Sequence, residues 1–157
     1  MTQWIEGDAV KQCLLALVAK GGMNSHYQFR NADCSGLELG GLMLSNSEFD
    51  SVNFSGSNLD NAIFMQSKLQ KCNLNEAKLE RLQIQNTTIE NCTFSKANAG
   101  RTTIVQSEVK QSDLSNCNLS KAKFVQAKLE EVNFSGANLS HATFAPTTHN
   151  KSTFTSS

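Results

Sequence analysis

Residues 52–64 read VNFSGSNLDNAIF, and this stretch decides the fold because a large apolar residue returns at every fifth position, at Phe54, Leu59 and Phe64. The same frame continues without interruption from Tyr27 to Phe144. We call the large apolar residue of each group of five the centre. The 24 centres from Phe29 onward are eight Phe, ten Leu, three Ile, one Val, one Ala (Ala99) and one Cys (Cys34), and none is charged. The chain is therefore a tandem repeat of pentads.

Each pentad has the pattern of a very short, half-buried strand followed by a tight turn. A repeat of five residues fits neither the helical period nor strict alternation. Two residues before the centre, 20 of 24 sites hold Ala, Ser, Thr, Cys or Val, and the exceptions are Tyr27, Leu37, Leu42 and Leu82. The intervening residue is nearly always polar, so the pentad reads in, out, in. The two residues after the centre, such as Ser55-Gly56, are types that tolerate tight backbone bends.

Three pentads resemble the A-(D/N)-L-x-x motif of pentapeptide-repeat proteins: Ala77-Lys78-Leu79, Ala97-Asn98-Ala99 and Ala137-Asn138-Leu139. Ser57-Asn58-Leu59 and Cys117-Asn118-Leu119 are close variants, and the resemblance covers about three quarters of the chain. It implies an all-β solenoid, a right-handed quadrilateral β-helix with four pentads per coil and about six coils. The centres would then stack inward and supply ~1.5 to 3 kcal/mol for each buried side chain.

Residues 1–22 lie outside the repeat and are predicted to form an N-terminal capping α-helix. Five apolar residues recur at helical spacing before Gly21 and Gly22 end the run, namely Val10, Cys13, Leu14, Leu17 and Val18. A solenoid needs its first hydrophobic layer covered, which favours a capping role over binding of a partner or a membrane surface. Trp4 and Ile5 are expected to join this cap.

Residues 23–157 form the predicted repeat domain, and its pattern weakens after Phe144. Pro146 enters, His149 takes a centre, and only Ser152 and Phe154 keep the motif. We therefore expect the last coil to fray after about residue 145. An open layer of unpaired backbone at this end would offer a site for a homodimer.

The composition argues for one cytoplasmic domain without a strong overall field. Fourteen basic residues balance fourteen acidic ones, which makes direct nucleic-acid binding an unfavoured interpretation. The apolar run from Cys13 to Ala19 is too short to cross a bilayer, and Glu6 and Asp8 occupy the place where a secretory signal has positive charge. We expect no membrane association.

The sequence offers little for catalysis or metal binding. His26, His141 and His149 lie far apart, and no insertion that could build a pocket interrupts residues 27–144. No phosphate-binding glycine loop or nucleophile elbow occurs. We therefore expect no enzymatic activity, no cofactor and no metal.

The five cysteines match no zinc spacing and are odd in number, which suits a reducing compartment. Cys72 and Cys92 lie one coil apart, so their Cα atoms should be ~4.8 Å from each other. That distance permits a disulfide, but two packed free thiols are the favoured alternative.

A coil of four pentads sorts the outward residues into four faces. We call the face with centres 29, 49, 69, 89, 109 and 129 the charged face, because eleven of its eighteen outward residues are charged. The signs are mixed, as on a solvated surface. The next face carries mostly Asn, Ser, Thr and Gly. The third carries a vertical row that we call the basic column, which could bind an anion unless nearby Glu38, Asp60 and Glu80 neutralise it: Arg81, Arg101, Lys121 and His141.

The fourth face, with centres 44, 64, 84, 104, 124 and 144, has one charge, Lys123, among its eighteen outward residues, and we call it the uncharged face. Its predicted protein-binding residues are Met43, Ile63, Met65, Gln85, Val105 and Val125. Apolar strips with few charges are typical of interaction surfaces. The neighbouring row of amides offers another interpretation, a ladder that stabilises stacked coils: Asn46, Gln66, Asn86, Gln106 and Gln126.

The leading functional hypothesis is a non-enzymatic scaffold that presents the uncharged face to a protein partner, either another protein or a second copy. The resemblance implies two alternatives. Some pentapeptide-repeat proteins mimic DNA and regulate or protect type II topoisomerases, which gives quinolone resistance, but their surfaces are strongly acidic and this chain is neutral. Others are bacterial effectors or secretion accessory proteins, and nothing in residues 1–22 points to that role.

Overall fold

A computed structural model describes residues 3–155, which contain one α-helix and fifteen short β-strands. Strand β1 (Trp4–Glu6) and helix α1 (Asp8–Lys20) precede the repeat. The other strands follow in chain order: β2 (Asn24–Ser25), β3 (Gln28–Asp33), β4 (Met43–Ser45), β5 (Glu48–Asn53), β6 (Ile63–Met65), β7 (Lys68–Gln70), β8 (Gln83–Gln85), β9 (Thr88–Glu90), β10 (Thr103–Val105), β11 (Glu108–Lys110), β12 (Lys123–Val125), β13 (Lys128–Glu130), β14 (Thr143–Ala145) and β15 (Thr148–Asn150).

From β2 onward, each strand pairs in parallel with the strand that lies 20 residues further along the chain, as Phe29 pairs with Phe49 and Phe49 with Leu69. One sheet has eight strands in the order β1-β3-β5-β7-β9-β11-β13-β15. A second has seven in the order β14-β12-β10-β8-β6-β4-β2. Single parallel bridges such as Asn58↔Lys78 join the other two sides of each coil. The predicted four-sided β-helix is confirmed.

The solenoid has about seven coils, one more than predicted. Pairing begins at β2, before the first clear pentad, and it continues past Phe144. We expected fraying after about residue 145, but β15 still pairs with β13, and Thr153 still bridges to Asn133. Parallel ladders are built from backbone groups, so they persist where the side-chain pattern decays. Burial does fall here, and Phe154 is 36% exposed.

The centres form the core. Every centre from Phe29 to Phe134 is buried, and aromatic rings stack directly on one another, with ring centroids of Phe29 and Phe49 5.0 Å apart. The middle coils contain smaller centres, and around Ala99 they leave an apolar cavity of about 20 Å³. Burial of these columns is the main force that closes the coils.

The residue two places after each centre lies at a corner of the coil and has nearly the same backbone conformation throughout the solenoid. These residues adopt positive φ along the solenoid, as at Gly56 (65°) and Lys96 (61°). After Phe54 the corner is closed by a hydrogen bond from the N–H of Ser57 to the carbonyl of Phe54, 3.0 Å long. Positive φ at the third residue, combined with this bond, is the geometry of a type II turn.

Buried hydroxyls complete the corners that follow the uncharged face. The N–H of Ser67 donates to Oγ1 of Thr87 at 3.2 Å, and the N–H of Thr87 donates to Oγ of Ser107 at 3.0 Å. Each hydroxyl also donates to a carbonyl, as Thr87 does to Gln85 at 2.9 Å. An inward N–H without such a partner would be costly. This explains the small polar residues two places before these centres.

Asn side chains likewise satisfy backbone groups, here on the outer surface of the second and third faces, where single bridges join the coils. Oδ1 of Asn53 accepts the N–H of Ser55 at 3.0 Å, which fixes the corner that follows. Nδ2 of Asn118 donates to Oδ1 of Asn98 in the preceding coil at 2.8 Å. The Asn or Asp of the repeat motif is therefore a structural residue that joins a corner to the neighbouring coil.

The N-terminal cap combines a helix with a strand. Val10, Leu14 and Leu17 of α1 are buried in the same apolar cluster as Phe29, with Cys13 and Val18 packed against it. Trp4 and Ile5 join the cap as predicted, but as strand β1, which pairs with β3. The guanidinium of Arg30 lies 5.3 Å from the centre of the Trp4 ring and binds the Glu6 carboxylate.

Truncation of a centre should destabilise the protein far more than truncation of its outward neighbour. Leu79 is 1% exposed and Lys78 is exposed. We expect Leu79→Ala to lower the free energy of unfolding by about 2 to 5 kcal/mol, because it leaves a cavity, and Lys78→Ala to change it by less than ~1 kcal/mol. Urea denaturation of both variants measures the difference, and equal midpoints would contradict the inward assignment.

Removal of residues 1–22 should expose the first core layer and the edge of β3, since β1 and α1 cover both. We expect the truncated chain to associate or aggregate at concentrations where the full chain does not. Size-exclusion chromatography with light scattering measures this. A truncated chain that stays monodisperse and equally stable would show that the segment is no cap.

Candidate protein-interaction face

The uncharged face is the seven-stranded sheet from β2 to β14. In each three-residue strand the centre points inward, and the two flanking residues point outward. The parallel register therefore creates two outward columns. One contains Met43, Ile63 and Gln83 in succession. The other contains Met65, Gln85, Val105 and Val125 in succession.

The structure brings the predicted binding residues together on this sheet as two apolar patches. Met43, Ile63 and Met65 form one patch, and Val105 and Val125 form the other. All five are partly exposed, and the fully exposed Gln85 lies between the patches. Exposed Gln83 lies beside Gln85. The sequence pattern indicated one apolar strip, whereas the strand register shows that Gln83 and Gln85 divide this strip into two patches.

The amide row beside the apolar strip forms no ladder. Within residues 3–155, the side chains of the five amides make no hydrogen bond to one another, and each takes positive φ, between 48° and 51°. The hydrogen-bonded amide columns lie on the other two faces, for example Asn138 to Asn118 at 3.3 Å. The amides of the uncharged face are therefore free to bind groups outside the chain.

The charged face has a different chemistry, in which opposite charges pair with each other. Nζ of Lys110 lies 2.6 Å from Glu108, and Nζ of Lys128 lies 3.8 Å from the same carboxylate. The hydrogen bond from Lys110 holds the pKa of Glu108 below its usual value. Exposed pairs of this kind contribute little to stability, typically below ~1 kcal/mol.

The basic column runs along the corner between the third face and the uncharged face. Arg81, Arg101, Lys121 and His141 are all exposed and all have positive φ, between 57° and 61°. Of the three predicted neutralising acids, Glu80 pairs with Arg101 at 2.9 Å. Asp60 accepts the N–H of Glu80 instead, at 2.8 Å.

Cys72 and Cys92 stack in adjacent coils as free thiols. The N–H of Cys72 lies 3.4 Å from Sγ of Cys92, so the sulfur takes the place that a hydroxyl holds at the equivalent corners. The hydrogen bond to Cys92 and burial raise the pKa of Cys72. Burial raises the pKa of Cys34 to about 11 and that of Cys117 to about 12. These thiols act as core residues.

The three histidines do not form a site. His26 lies in the first coil and contacts Ser25, whereas His149 packs edge-on against Phe154 at the other end. Among residues 3–155, no group of three His, Cys, Asp or Glu side chains is arranged to hold a metal ion. In the same part of the chain, no helix combines the length and the apolarity needed to cross a membrane.

Two family models of this repeat match the chain. The model of the pentapeptide repeat region matches residues 85–154, and the model of eight pentapeptide repeats matches residues 28–66 and 66–96. This chain belongs to the pentapeptide-repeat family. The matches together cover nearly the whole solenoid.

Solved pentapeptide-repeat structures share the fold. Two trypsin-treated variants of QnrB1, a plasmid-mediated fluoroquinolone resistance protein, superpose with TM-scores of 0.62 and 0.63, each at 23% identity. The alignments cover 84% and 83% of this chain but 65% and 63% of those chains. A pentapeptide repeat protein from the thylakoid lumen of Arabidopsis thaliana gives a TM-score of 0.50 at 23% identity, over 52% of this chain and 57% of that one. No curated protein matches the chain in sequence.

The thiols should differ sharply in reactivity. Cys13 is partly exposed, whereas the other four cysteines are buried, and burial raises the pKa of Cys34 and Cys117 to about 11 and about 12. At pH 8 Cys34 and Cys117 stay protonated, and burial shields all four of these thiols from the reagent, so we expect DTNB to modify Cys13 first and the rest only after unfolding. Absorbance at 412 nm measures the number of thiols that have reacted. Rapid modification of several thiols in the folded protein would contradict this packing.

Proposed function

We propose that this chain is a non-enzymatic binding protein whose uncharged face docks against a protein partner. The observation that carries this proposal is the contrast between two sheets of one solenoid. On the charged face, charged side chains of both signs are interspersed, and Glu108 pairs with Lys110 and Lys128. On the uncharged face, partly exposed apolar side chains cover the sheet together with amides that have no side-chain partner among residues 3–155, and Lys123 is its single outward charge.

The geometry suits a broad, shallow contact. The two apolar patches would bury Met and Val side chains, which occur in the centres of protein interfaces, and the exposed Gln83 and Gln85 would supply hydrogen bonds between them. A flat sheet of fixed spacing needs little reordering when it binds, which reduces the entropic cost of association.

The partner is another protein or a second copy of this chain. A homodimer through the uncharged face would bring the same patches together around a twofold axis. The last coil offers a second self-association surface, because β14 and β15 are the terminal strands of their sheets among the described residues. Reduced thiols at five positions suit a cytoplasmic setting.

The fold shared with QnrB1 does not by itself extend that protein's role to this chain, because 23% identity supports the architecture alone. The formal charge of zero gives no support to DNA mimicry. We therefore assign the proposed binding function to the uncharged face.

Charges placed in both apolar patches should abolish association without unfolding the protein. We expect the double variant Met65→Lys and Val105→Lys to keep the wild-type melting temperature within a few degrees, since both side chains point outward. Burying two unpaired ammonium groups would weaken partner binding by at least about tenfold. Light scattering measures self-association, and affinity capture from the host lysate measures association with other proteins.

A control places two lysines at outward strand positions of the charged face, Gln70→Lys and Thr88→Lys, which are also partly exposed. This control should retain every association of the wild type. If the first double variant also retains its oligomeric state and all its partners, the uncharged face is no binding site and the proposal fails.

A further inference from the structure

Apart from the basic column, two corner columns of the solenoid contain adjacent charged residues, one pair in each, and both pairs have opposite signs. A corner column contains the residues two places after the centres, which stack from coil to coil with positive φ. The two pairs are Glu76 with Lys96 and Glu131 with Lys151. The basic column differs from both, because Arg81, Arg101 and Lys121 carry the same sign and follow one another in successive coils.

The cations of the basic column are also poorly neutralised within the chain. Among residues 3–155, Arg101 pairs with Glu80, but no ion pair involves Arg81 or Lys121. Lys123, on the adjacent strand β12, has no acidic partner there either. Like charges stacked about one strand spacing apart, ~4.8 Å, repel each other unless an anion lies between them. This arrangement favours an external negative partner.

The surroundings of Lys121 fit a chain of carboxylates. Lys121 and Arg101 border a shallow groove with the buried Gly100 and the partly exposed polar side chains of Asn118 and Ser120. The guanidinium fork of an arginine binds a carboxylate with two parallel hydrogen bonds. No Phe, Tyr or Trp occurs at the outward positions of the two faces that meet here, and His141 is the one ring in the basic column, so this corner lacks the row of stacking side chains that single-stranded nucleic acids use.

We propose that the basic column binds an acidic segment of a protein, with carboxylates distributed along the solenoid axis. A protein segment fits better than another polyanion because the column borders the uncharged face, whose apolar patches would contact side chains of the same segment. The choice of a protein ligand therefore rests on the proposed function, while anion binding by the column does not.

Glu80 is a built-in competitor for this ligand. Its carboxylate lies 2.9 Å from the guanidinium of Arg101 and pairs with it at the edge of the same groove. An incoming carboxylate must displace it. Glu80→Gln should therefore strengthen binding, whereas loss of the cations should weaken it, and these opposite directions separate a specific site from general damage to the protein.

The test uses fluorescently labelled poly-L-glutamate of about 20 residues as the probe, with binding to the full chain followed by fluorescence anisotropy. We expect Arg101→Gln with Lys121→Gln to weaken binding about tenfold, and Glu80→Gln to tighten it severalfold. A control with the same loss of charge on the charged face, Lys68→Gln with Lys71→Gln, should bind like the wild type. Binding should weaken as NaCl rises from about 50 mM to about 300 mM.

Three results would overturn the proposal: no binding of poly-L-glutamate by the wild type, equal loss in the control pair, or binding of inorganic polyphosphate or a single-stranded oligonucleotide in place of poly-L-glutamate. Circular dichroism melts of each variant show that it is folded. The two proposals fail separately, because the variants at Met65 and Val105 test the uncharged face and leave every cation of the column in place.

Discussion

The structure depends on one constraint, the parallel pairing of each strand with the chain 20 residues further on. This register stacks equivalent positions on one another, so a side chain that suits one coil faces the same position in the next. Phe29 on Phe49 and Phe124 on Phe144 show the consequence in the core, where rings lie 5.0 Å and 4.7 Å apart. A shift of one residue would turn every centre to solvent. Burial of the centres therefore stabilises the register, and the register in turn keeps the centres buried.

The corners make this arrangement energetically costly, because their backbone is left-handed. A left-handed backbone at every corner is unfavourable for residues other than glycine, yet Lys, Arg, Glu and Gln occupy many of these positions. The buried hydroxyls of Thr87 and Ser107 and the amides of Asn53 and Asn118 offset that cost by satisfying backbone groups that no strand partner reaches. Pro146 cannot take the left-handed conformation, and burial declines in the same coil.

With the interior occupied by packing, function is confined to the outward positions, and the register sorts them into faces of distinct chemistry. The charged face pairs some of its own charges, and two faces use Asn to join neighbouring coils. Within the part of the chain that the structure describes, the amides of the uncharged face have no side-chain partners, and most cations of the adjoining basic column have no ion pair. These groups are spread along a plane, which suits the binding role that we propose.

The apolar period of five in the sequence by itself predicted an array of short strands and tight turns, and the resemblance of its motifs to pentapeptide repeats implied the β-helix with four pentads per coil, from which the membership of each face follows. The sequence also predicted the cap, since Val10, Leu14 and Leu17 recur at helical spacing. Only the tertiary structure placed Trp4 and Ile5 in strand β1, because a three-residue strand has no period of its own and needs β3 as a partner. Only the structure distinguished the amides that bond between coils from those that do not, and paired Glu80 with Arg101, because both depend on side-chain distances across neighbouring coils.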